Sequence, residues 1–450
     1  MQVNLSMLDW SWKIDGAIVL AGALCAGAAA LLGNFLVLRR MSLIGDAISH
    51  AVLPGLAAAF LFSGERQGFG MFFGAATVGV LTVFLTEFAK QYGRVDESAS
   101  IGIVFTFLFA IGLLMITQAA EKVDLDPGCV LYGVLETSYL DTVAVFGMQI
   151  PRVIVTLAFV FALNLAFVVL MYRQLKVSTF DPQLAISQGV PVGVLHYVLA
   201  AFVAVTAVAS FESVGNILVV AMFVVPPVAA WQLTDRLPIM ILLSVLIGWL
   251  SAIAGHLGAI TLPKWFGYET STNTAGMMAV AAGAFLFIIV LFAPRKGILS
   301  RAWMSFRVAI RILSDDVLAS MFRAEKSGKT QISIDSICDR LLISRIRARV
   351  VVWWIRFRKQ VTLSGEHLAL TDVGRVHAQN IVRAHRLWEQ YLASEAGFPS
   401  EALHEGAEKL EHFTDRKLRE RLLAETNQPE LDPHGSPIPP EADARPTSEN

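Results

Sequence analysis

Two groups of side chains in this sequence have the types and spacing to hold a divalent cation. The first is Asp46 and His50, in GDAISHAVLPG (45–55), at the head of a segment that is otherwise apolar. On a helix, positions i and i+4 share a face, so the carboxylate and the imidazole can point at one spot. The structural alternative is an aspartate N-cap beside a histidine hydrogen-bonded to a neighbouring helix. The second group is His404, Glu408, Glu411 and His412, in HEGAEKLEH (404–412), whose i, i+4, i+7, i+8 spacing makes one helical stripe. Here the alternative is the solvated face of an amphipathic helix. Carboxylate with neutral imidazole suits Mn²⁺, Fe²⁺ or Zn²⁺.

The elements that must position these groups differ in kind. Of the 450 residues, 55% are hydrophobic and only 16% charged, and the mean hydropathy of +0.58 is far above that of a soluble chain of this length. Apolar runs long enough to cross a bilayer fall at 17–37, 46–62, 69–88, 100–118, 152–172, 195–211, 214–231, 239–258 and 275–293, about nine spans. The half-apolar stretch 128–150 reads as a short interfacial or re-entrant piece. Asp46 and His50 therefore sit in lipid, where ionisable side chains are costly and mark function by default. Glu212 and His256, also near or within spans, read as interfacial caps or as a second metal contact or proton partner. Pro226 and Pro227 interrupt an apolar run, where two missing amide donors kink or break a helix.

Arg39, Arg40, Lys90, Arg94, Arg173, Lys176, Arg236, Arg295, Lys296 and Arg301 fall after alternate spans, which puts those sides in the cytoplasm. Nine spans then place the N-terminus outside and everything after Arg295 inside, in a multi-pass protein of a plasma membrane. The first fifteen residues lack the pattern of a cleaved secretory signal, so the first span is expected to be retained. Net charge is −1, which gives no bulk electrostatic case for nucleic acid as a partner. Cys25, Cys129 and Cys338 are widely separated and contain no CxxC, so neither a disulfide framework nor a thiolate zinc site is indicated. No GxxxxGK[ST] is present, so no nucleotide site is expected on this chain.

Past residue 297 the composition becomes charged, with helical periodicity. The order SDDVLASMFRAEK, SIDSICDRLL, SRIRARVVVWWIRFRK, then VTLSGEHLAL with a Ser-Gly turn predicts a winged helix-turn-helix. Its third helix carries Arg345, Arg347 and Arg349, with Arg356 and Arg358 beyond them, and these are candidate phosphate contacts. The same helix is unusually apolar over Val350–Ile355, so one face must pack rather than read bases. A helix opened by a Thr cap follows over 371–392, then the ligand stripe, then a Pro-rich polar tail.

Several ordered motifs carry a resemblance to known families. The run LGNFLVLRRMSLIGDAISHAVLPGLAAAFL (32–61) resembles the metal-transporting ABC permeases that import manganese, zinc or iron. DESASIGIVFTFLFAIGLL (96–114), FDPQLAISQGVP (180–191), VGNILVVAMFVVPPVAA (214–230) and the TDRLP loop (234–238) fit the same family in the same order. The resemblance spans about 15–295. It implies a pathway built by two permease subunits, this chain with a copy of itself or a different one, driven by a cytoplasmic ABC ATPase subunit and fed by an extracytoplasmic metal-binding protein. Asp46 and His50 match the pathway metal pair. The segment with Phe180, Asp181, Pro182 and Gly189 matches the helix that docks into the ATPase.

Residues 314–440 resemble the diphtheria toxin repressor family of metal-dependent regulators, down to a DPHGSPIP run (432–439). Residue by residue, Asp316, Glu408, Glu411 and His412 fall on that family's primary metal positions, and His385, Glu389 and His404 on the ancillary ones. Iron-responsive members place sulfur ligands where this chain has Asp316 and Glu408. Carboxylates there resemble the manganese-responsive branch, and hard oxygen ligands favour Mn²⁺ independently, with Fe²⁺ and Zn²⁺ left open. The expected architecture is thus mainly α: a polytopic bundle (1–296), a cytoplasmic winged helix (297–371), a metal-binding and dimerisation domain of helices (372–440) and a disordered tail (441–450). The expected role is an importer permease whose cytoplasmic domain binds the carried metal and regulates transport, with ATP hydrolysed elsewhere. The alternatives are a membrane-tethered transcription regulator and a permease with a vestigial dimerisation domain. Operator binding is not expected, because the third helix is apolar where a repressor's is polar.

Overall fold

A computed structural model describes residues 10–41, 45, 47–48, 51–63, 69–120, 135–145, 147–268 and 271–442. The chain divides into two compact units, Met1–Ser300 and Arg301–Asn450.

The first unit is a helix bundle. Its elements are α1 (Asp15–Leu38), α2 (Leu53–Ser63), α3 (Phe69–Gly93), α4 (Glu97–Ala120), strands β1 (Thr142–Val145) and β2 (Met148–Pro151), then α5 (Arg152–Leu170), α6 (Tyr172–Phe180), α7 (Pro182–Ser187), α8 (Val192–Val214), α9 (Asn216–Leu233), α10 (Leu237–Trp265) and α11 (Thr274–Phe292). Among the described residues seven helices are long and apolar enough to cross a membrane: α1, α4, α5, α8, α9, α10 and α11. The count of about nine is not confirmed. Within the expected span at 46–62, the continuous helix among the described residues is α2, whose 11 residues at 1.5 Å each cover about half of a bilayer core. The expected span at 69–88 lies in α3, which is not one of the seven. Within 128–150, read as a short interfacial or re-entrant piece, the part described from 142 onward belongs to an antiparallel hairpin pairing Thr142 with Pro151 and Val145 with Met148.

α1 lies at the centre, packed against α5, α8, α9 and α10. Its sequence, AGALCAGAAALLG over 21–33, explains why: small side chains let neighbouring backbones approach where lipid supplies no hydrophobic drive to associate. Polar side chains then link the helices. Asn34 donates to Ser244 Oγ on α10 at 2.8 Å, and Asn164 on α5 donates to Thr206 Oγ1 on α8 at 2.8 Å and to the Ala28 carbonyl on α1 at 3.1 Å. Phe159, Val169, Leu170, Leu242 and Phe287 are exposed, the apolar exterior that a bilayer would cover.

Pro226 and Pro227 do not break their element. Both are buried inside α9, which runs on to Leu233. Pro227 has no N–H to offer the Phe223 carbonyl one turn back, and that carbonyl is where α1 comes closest. A Cβ on Gly33 would stand 2.1 Å from the Phe223 oxygen and 3.0 Å from Pro227 Cγ.

The second unit begins with α12 (Ile298–Lys326), which crosses the unit boundary, and continues with β3 (Ile332–Ser333), α13 (Ile334–Leu341), α14 (Arg345–Phe357), β4 (Val361–Ser364), β5 (His367–Leu370), α15 (Asp372–Ser394), α16 (Ser400–Glu411) and α17 (Arg416–Glu425). The strands make one antiparallel sheet in the order β3-β5-β4, and Gly365, with φ +63°, supplies the turn of the wing. Ser333, Ser344 and Thr371 cap α13, α14 and α15 with their hydroxyls. The core gathers Val317, Leu318 and Met321 of α12, Ile337 of α13, Val351, Val352 and Ile355 of α14, Leu368 of β5, and Ala378 and Val382 of α15. The winged helix is as expected, except that its first helix starts at Ile298 rather than near Ser314.

Glu441 and Ala442, at the start of the tail expected to be disordered, are tied down. Glu441 pairs with Arg383 at 3.1 Å and with Arg419, and the Ala442 N–H donates to Asn380 Oδ1 at 3.1 Å. Two arginines on neighbouring helices outweigh the polar composition that suggested disorder. Residues 443–450 lie outside the described residues.

Gly33→Ala is expected to lower the thermal midpoint of the detergent-solubilised chain, by overpacking of about 1–3 kcal/mol. Gly283→Ala, where no atom lies within 4 Å of a new Cβ, is expected to leave it unchanged.

Candidate metal centre

Three helices and one cap bring the metal-binding residue types of the second unit together. Asp316 comes from α12, His385 and Glu389 from α15, and His404, Glu408 and Glu411 from α16, whose C-cap is His412. α15 and α16 pack side by side, and the Arg375 to Glu325 pair at 2.7 Å holds α15 against α12.

Two groups result. His385, Glu389 and His404 offer ligand atoms within 4.8 Å of one another, as do Asp316, Glu411 and His412. In the first, His385 Nε2 is 3.1 Å from Glu389 Oε1 and 3.0 Å from His404 Nδ1. In the second, His412 Nε2 is 3.3 Å from Asp316 Oδ1 and 3.7 Å from Glu411 Oε1. They are joined, because His385 Nδ1 lies 2.6 Å from Glu411 Oε2. Glu408 belongs to neither triplet. It is exposed and lines a cavity of about 420 Å³ together with Asp316, Glu411, His385 and His404.

The stripe predicted over 404–412 thus runs from solvent into the core, with His404 and Glu408 exposed and Glu411 and His412 buried. His385 and Glu389, which no helical stripe in the sequence distinguished, are buried beside it.

Charge explains how such a cluster survives burial. Burial opposes protonation of His385, but hydrogen bonds to Glu389 and Glu411 outweigh it and push its pKa up to about 9. Burial likewise opposes the charge on His412, while Asp315 and Asp316 lift it to about 10. For Glu389, burial opposes ionisation and hydrogen bonding to His385 overcomes that, holding it at about 2. The raised histidines stabilise the unit fully below their ordinary value of 6.5, and that contribution is lost as pH rises through 9 to 10. The depressed Glu389 contributes above 4.5, and its share is lost as pH falls towards 2.

The donor set fits a divalent cation. Four carboxylates and three histidines converge on one cluster and its cavity, with His412 Nε2 facing Asp316 and Glu411. Asp316, Glu411 and His412 would hold one ion, and His385, Glu389 and His404 a second, with Glu408 available from the cavity wall. A divalent ion there would supply the positive charge that the histidine protons now provide.

Sequence reasoning passed over Asp315 and His377. Asp315 is buried behind His412, with Oδ2 at 3.5 Å from Nδ1, and its other oxygen is 2.9 Å from His377 Nε2. The signals were two adjacent aspartates, of which only one can face the cavity, and His377 two helical turns before His385. It also passed over His434, whose Nδ1 lies 3.8 Å from Glu389 Oε2. The DPHG turn that carries it is strapped to α15 by Arg386, which pairs with Asp432 at 3.4 Å and donates to the Pro437 carbonyl.

In the first unit, Asp46 and His50 lie outside the described residues. Just before them, Arg39 ends α1 and donates to Ser178 at 2.8 Å and Thr179 at 3.1 Å on α6. α6 ends at Phe180, Asp181 caps α7 by accepting from the Leu184 N–H at 2.9 Å, Pro182 is its first residue, and Gly189 turns out of the segment at φ +77°. Phe180, Leu184 and Ile186 are exposed. His256 is buried, with Nε2 3.0 Å from Asp15 Oδ1 on α1. The side chain of Glu212 is not among those described. Arg345, Arg347 and Arg349 are exposed on α14, and Arg345 pairs with Asp335 at 2.7 Å.

Comparison with known proteins divides the chain along the same lines. Residues 14–293 match a family described as the ABC 3 transport family, and residues 371–440 match one described as iron dependent repressor, metal binding and dimerisation domain. The Bacillus subtilis manganese transport system membrane protein MntD is 42% identical over 290 residues, covering 64% of this chain and 95% of that protein. The Treponema pallidum zinc transport system membrane protein TroD is 36% identical over 366 residues, covering 80% of this chain and 97% of that protein. Among solved structures, PsaBC from Streptococcus pneumoniae in complex with Fab superposes with a TM-score of 0.52 at 27% identity, covering 62% of this chain and 92% of that chain.

Because His385 and His412 hold protons that a metal must displace, binding of Mn²⁺ at neutral pH is expected to release about two protons and to tighten as pH rises. Calorimetry in two buffers of different ionisation heat checks this, taking the difference between the full chain and its His385→Ala/His412→Ala variant.

Proposed function

We propose a role for this chain that starts from its family: it belongs to the ABC 3 transport family. It is a multi-pass membrane protein and the permease subunit of an ATP-driven divalent metal transporter, not an enzyme in its own right. ATP is hydrolysed by a separate ATPase subunit, and an extracytoplasmic binding protein delivers the cargo. A second permease subunit completes the pathway. The second unit lies in the cytoplasm and senses the metal that the first unit carries.

The cargo and the sensed ion are Mn²⁺. Supporting this, four of the seven candidate sensor ligands are carboxylates and none is sulfur, a donor set that suits a hard ion. A zinc transporter stands among the relatives beside a manganese one, so cargo competition is the direct check.

Asp46 and His50 hold the ion in the pathway. The exposed segment around α7, with Phe180 at its entry, Asp181 as its cap, Pro182 as its first residue and Gly189 at its exit, is the contact to the ATPase. Arg39 joins the two, because it precedes the pathway pair in sequence and bonds the end of α6 in space.

The observation that carries the regulatory reading is the pair of joined carboxylate and histidine clusters in the same chain as the permease. Regulation works by linkage. Metal at the sensor shifts the permease towards a resting state by the difference in its affinity for the two states, and by no more.

In vesicles containing the full transporter, Asp46→Ala or His50→Ala is expected to abolish Mn²⁺ uptake while the ATPase still copurifies; normal uptake would remove the pathway assignment. For the sensor, rising internal Mn²⁺ is expected to slow uptake by the parent chain about fivefold or more and to leave Glu411→Ala/His412→Ala uninhibited. Equal inhibition of both would sink the feedback.

A further inference from the structure

The face of α14 that a winged helix normally turns to DNA has the wrong chemistry for base edges. At about 100° per residue, Ala348, Val351, Val352 and Ile355 share the buried side of the helix. Directly opposite runs a stripe of Ile346, Val350, Trp353 and Phe357, continued by Leu342 in the preceding turn. These are exposed at 77%, 38%, 64%, 73% and 92%. The Trp353 and Phe357 rings stack with centroids 6.0 Å apart. Base edges in a groove are read largely by hydrogen bonds, and in this stripe only the Trp353 indole N–H can donate one.

Arginines flank the stripe on both sides. By the same helical spacing Arg345, Arg349 and Arg356 fall along one edge, and Arg347 and Arg358 along the other, the last over the Trp354 ring at 5.0 Å. From Leu342 to Gln360 there are five arginines and one lysine and no acidic residue. Arg345 reaches Asp335, while Arg347, Arg349 and Arg356 have no carboxylate partner among the described residues.

An apolar centre with two aromatics, bordered on both edges by cations, is the pattern of a helix lying in a membrane interface. The rings enter the boundary of the acyl chains and the guanidinium groups reach headgroup phosphates. The same chain carries membrane-crossing helices in its first unit, so the unit that holds α14 is tethered to a membrane. Charge complementarity selects the anionic surface.

We propose that α14 is a membrane-docking helix, and that its exposed Leu342, Ile346, Val350, Trp353 and Phe357 stripe binds an anionic lipid bilayer instead of DNA. This goes beyond metal transport and sensing, and it holds or fails independently of both. The fold of a reader helix is kept while its outward face is built for lipid.

The test uses the full chain with Cys25, Cys129 and Cys338 replaced by alanine and one reporter, Ile346→Cys or, as a control, Val373→Cys on the exposed start of α15. Each is placed in nanodiscs of phosphatidylcholine alone or of phosphatidylcholine with phosphatidylglycerol, and the rate of modification by a membrane-impermeant maleimide is read. Residue 346 is expected to react several-fold more slowly in the anionic discs, and Arg349→Gln to restore the rate about fivefold, while residue 373 reacts equally in both. The unmodified chain gives a second readout: tryptic cleavage after Arg345, Arg347 and Arg349 is expected to slow in anionic discs only. Equal rates in both discs overturn the proposal. So does protection that persists in detergent, which would assign the stripe to a protein partner, or protection that appears only with duplex DNA.

Discussion

His385 lies between Glu411 and Glu389, with His404 on the same ring nitrogen as Glu389. His385, Glu389 and Glu411 are buried and each would be costly alone; each is tolerable because the others are charged in the opposite sense or share its proton. The bridge crosses from α15 to α16 and reaches His412 and Asp316 through Glu411, so the two clusters cannot change charge independently. An ion entering one would alter the proton inventory of the other through the Glu411 carboxylate that His385 bonds.

Lipid imposes a different constraint on the first unit. Helices there gain nothing from hiding apolar side chains from one another, so they are joined by close approach and by polar contacts. Gly33 against the Phe223 carbonyl is the first device, and Asn34 with Ser244 and Asn164 with Thr206 are the second. Pro227 takes part by leaving the Phe223 carbonyl without its helical donor where α1 passes. The proline pair is a feature of packing between α1 and α9, and it leaves α9 continuous.

The winged helix illustrates how a fold and its usual task separate. Its Thr371 cap, its wing turn and the packed face of α14 are those the residue pattern predicts, although its first helix starts earlier, at Ile298. What the outward face of α14 contacts depends on the side chains placed there, and those are tryptophan, phenylalanine and isoleucine edged with arginine.

By itself the sequence determined the membrane character of the first part, the order of helices and strands in the winged helix, and the cap at Thr371. These follow from local signals: apolar run length, periodicity and side chains that reach only three residues along the chain. It did not determine the span count, because α2 has too few described residues to cross a bilayer, nor the hairpin at 142–151, whose strands are half apolar. The HEGAEKLEH stripe was legible as ligand-rich, and the family resemblance pointed to Asp316, His385 and Glu389. That these form two groups sharing Glu411, that Asp315 stands behind His412, and that the DPHG turn returns to α15 were decided only by the tertiary structure. The physical reason is distance along the chain: these contacts join residues tens of positions apart, and only the packing of α12 and α15 on one core, with α16 against α15, fixes which side chains meet.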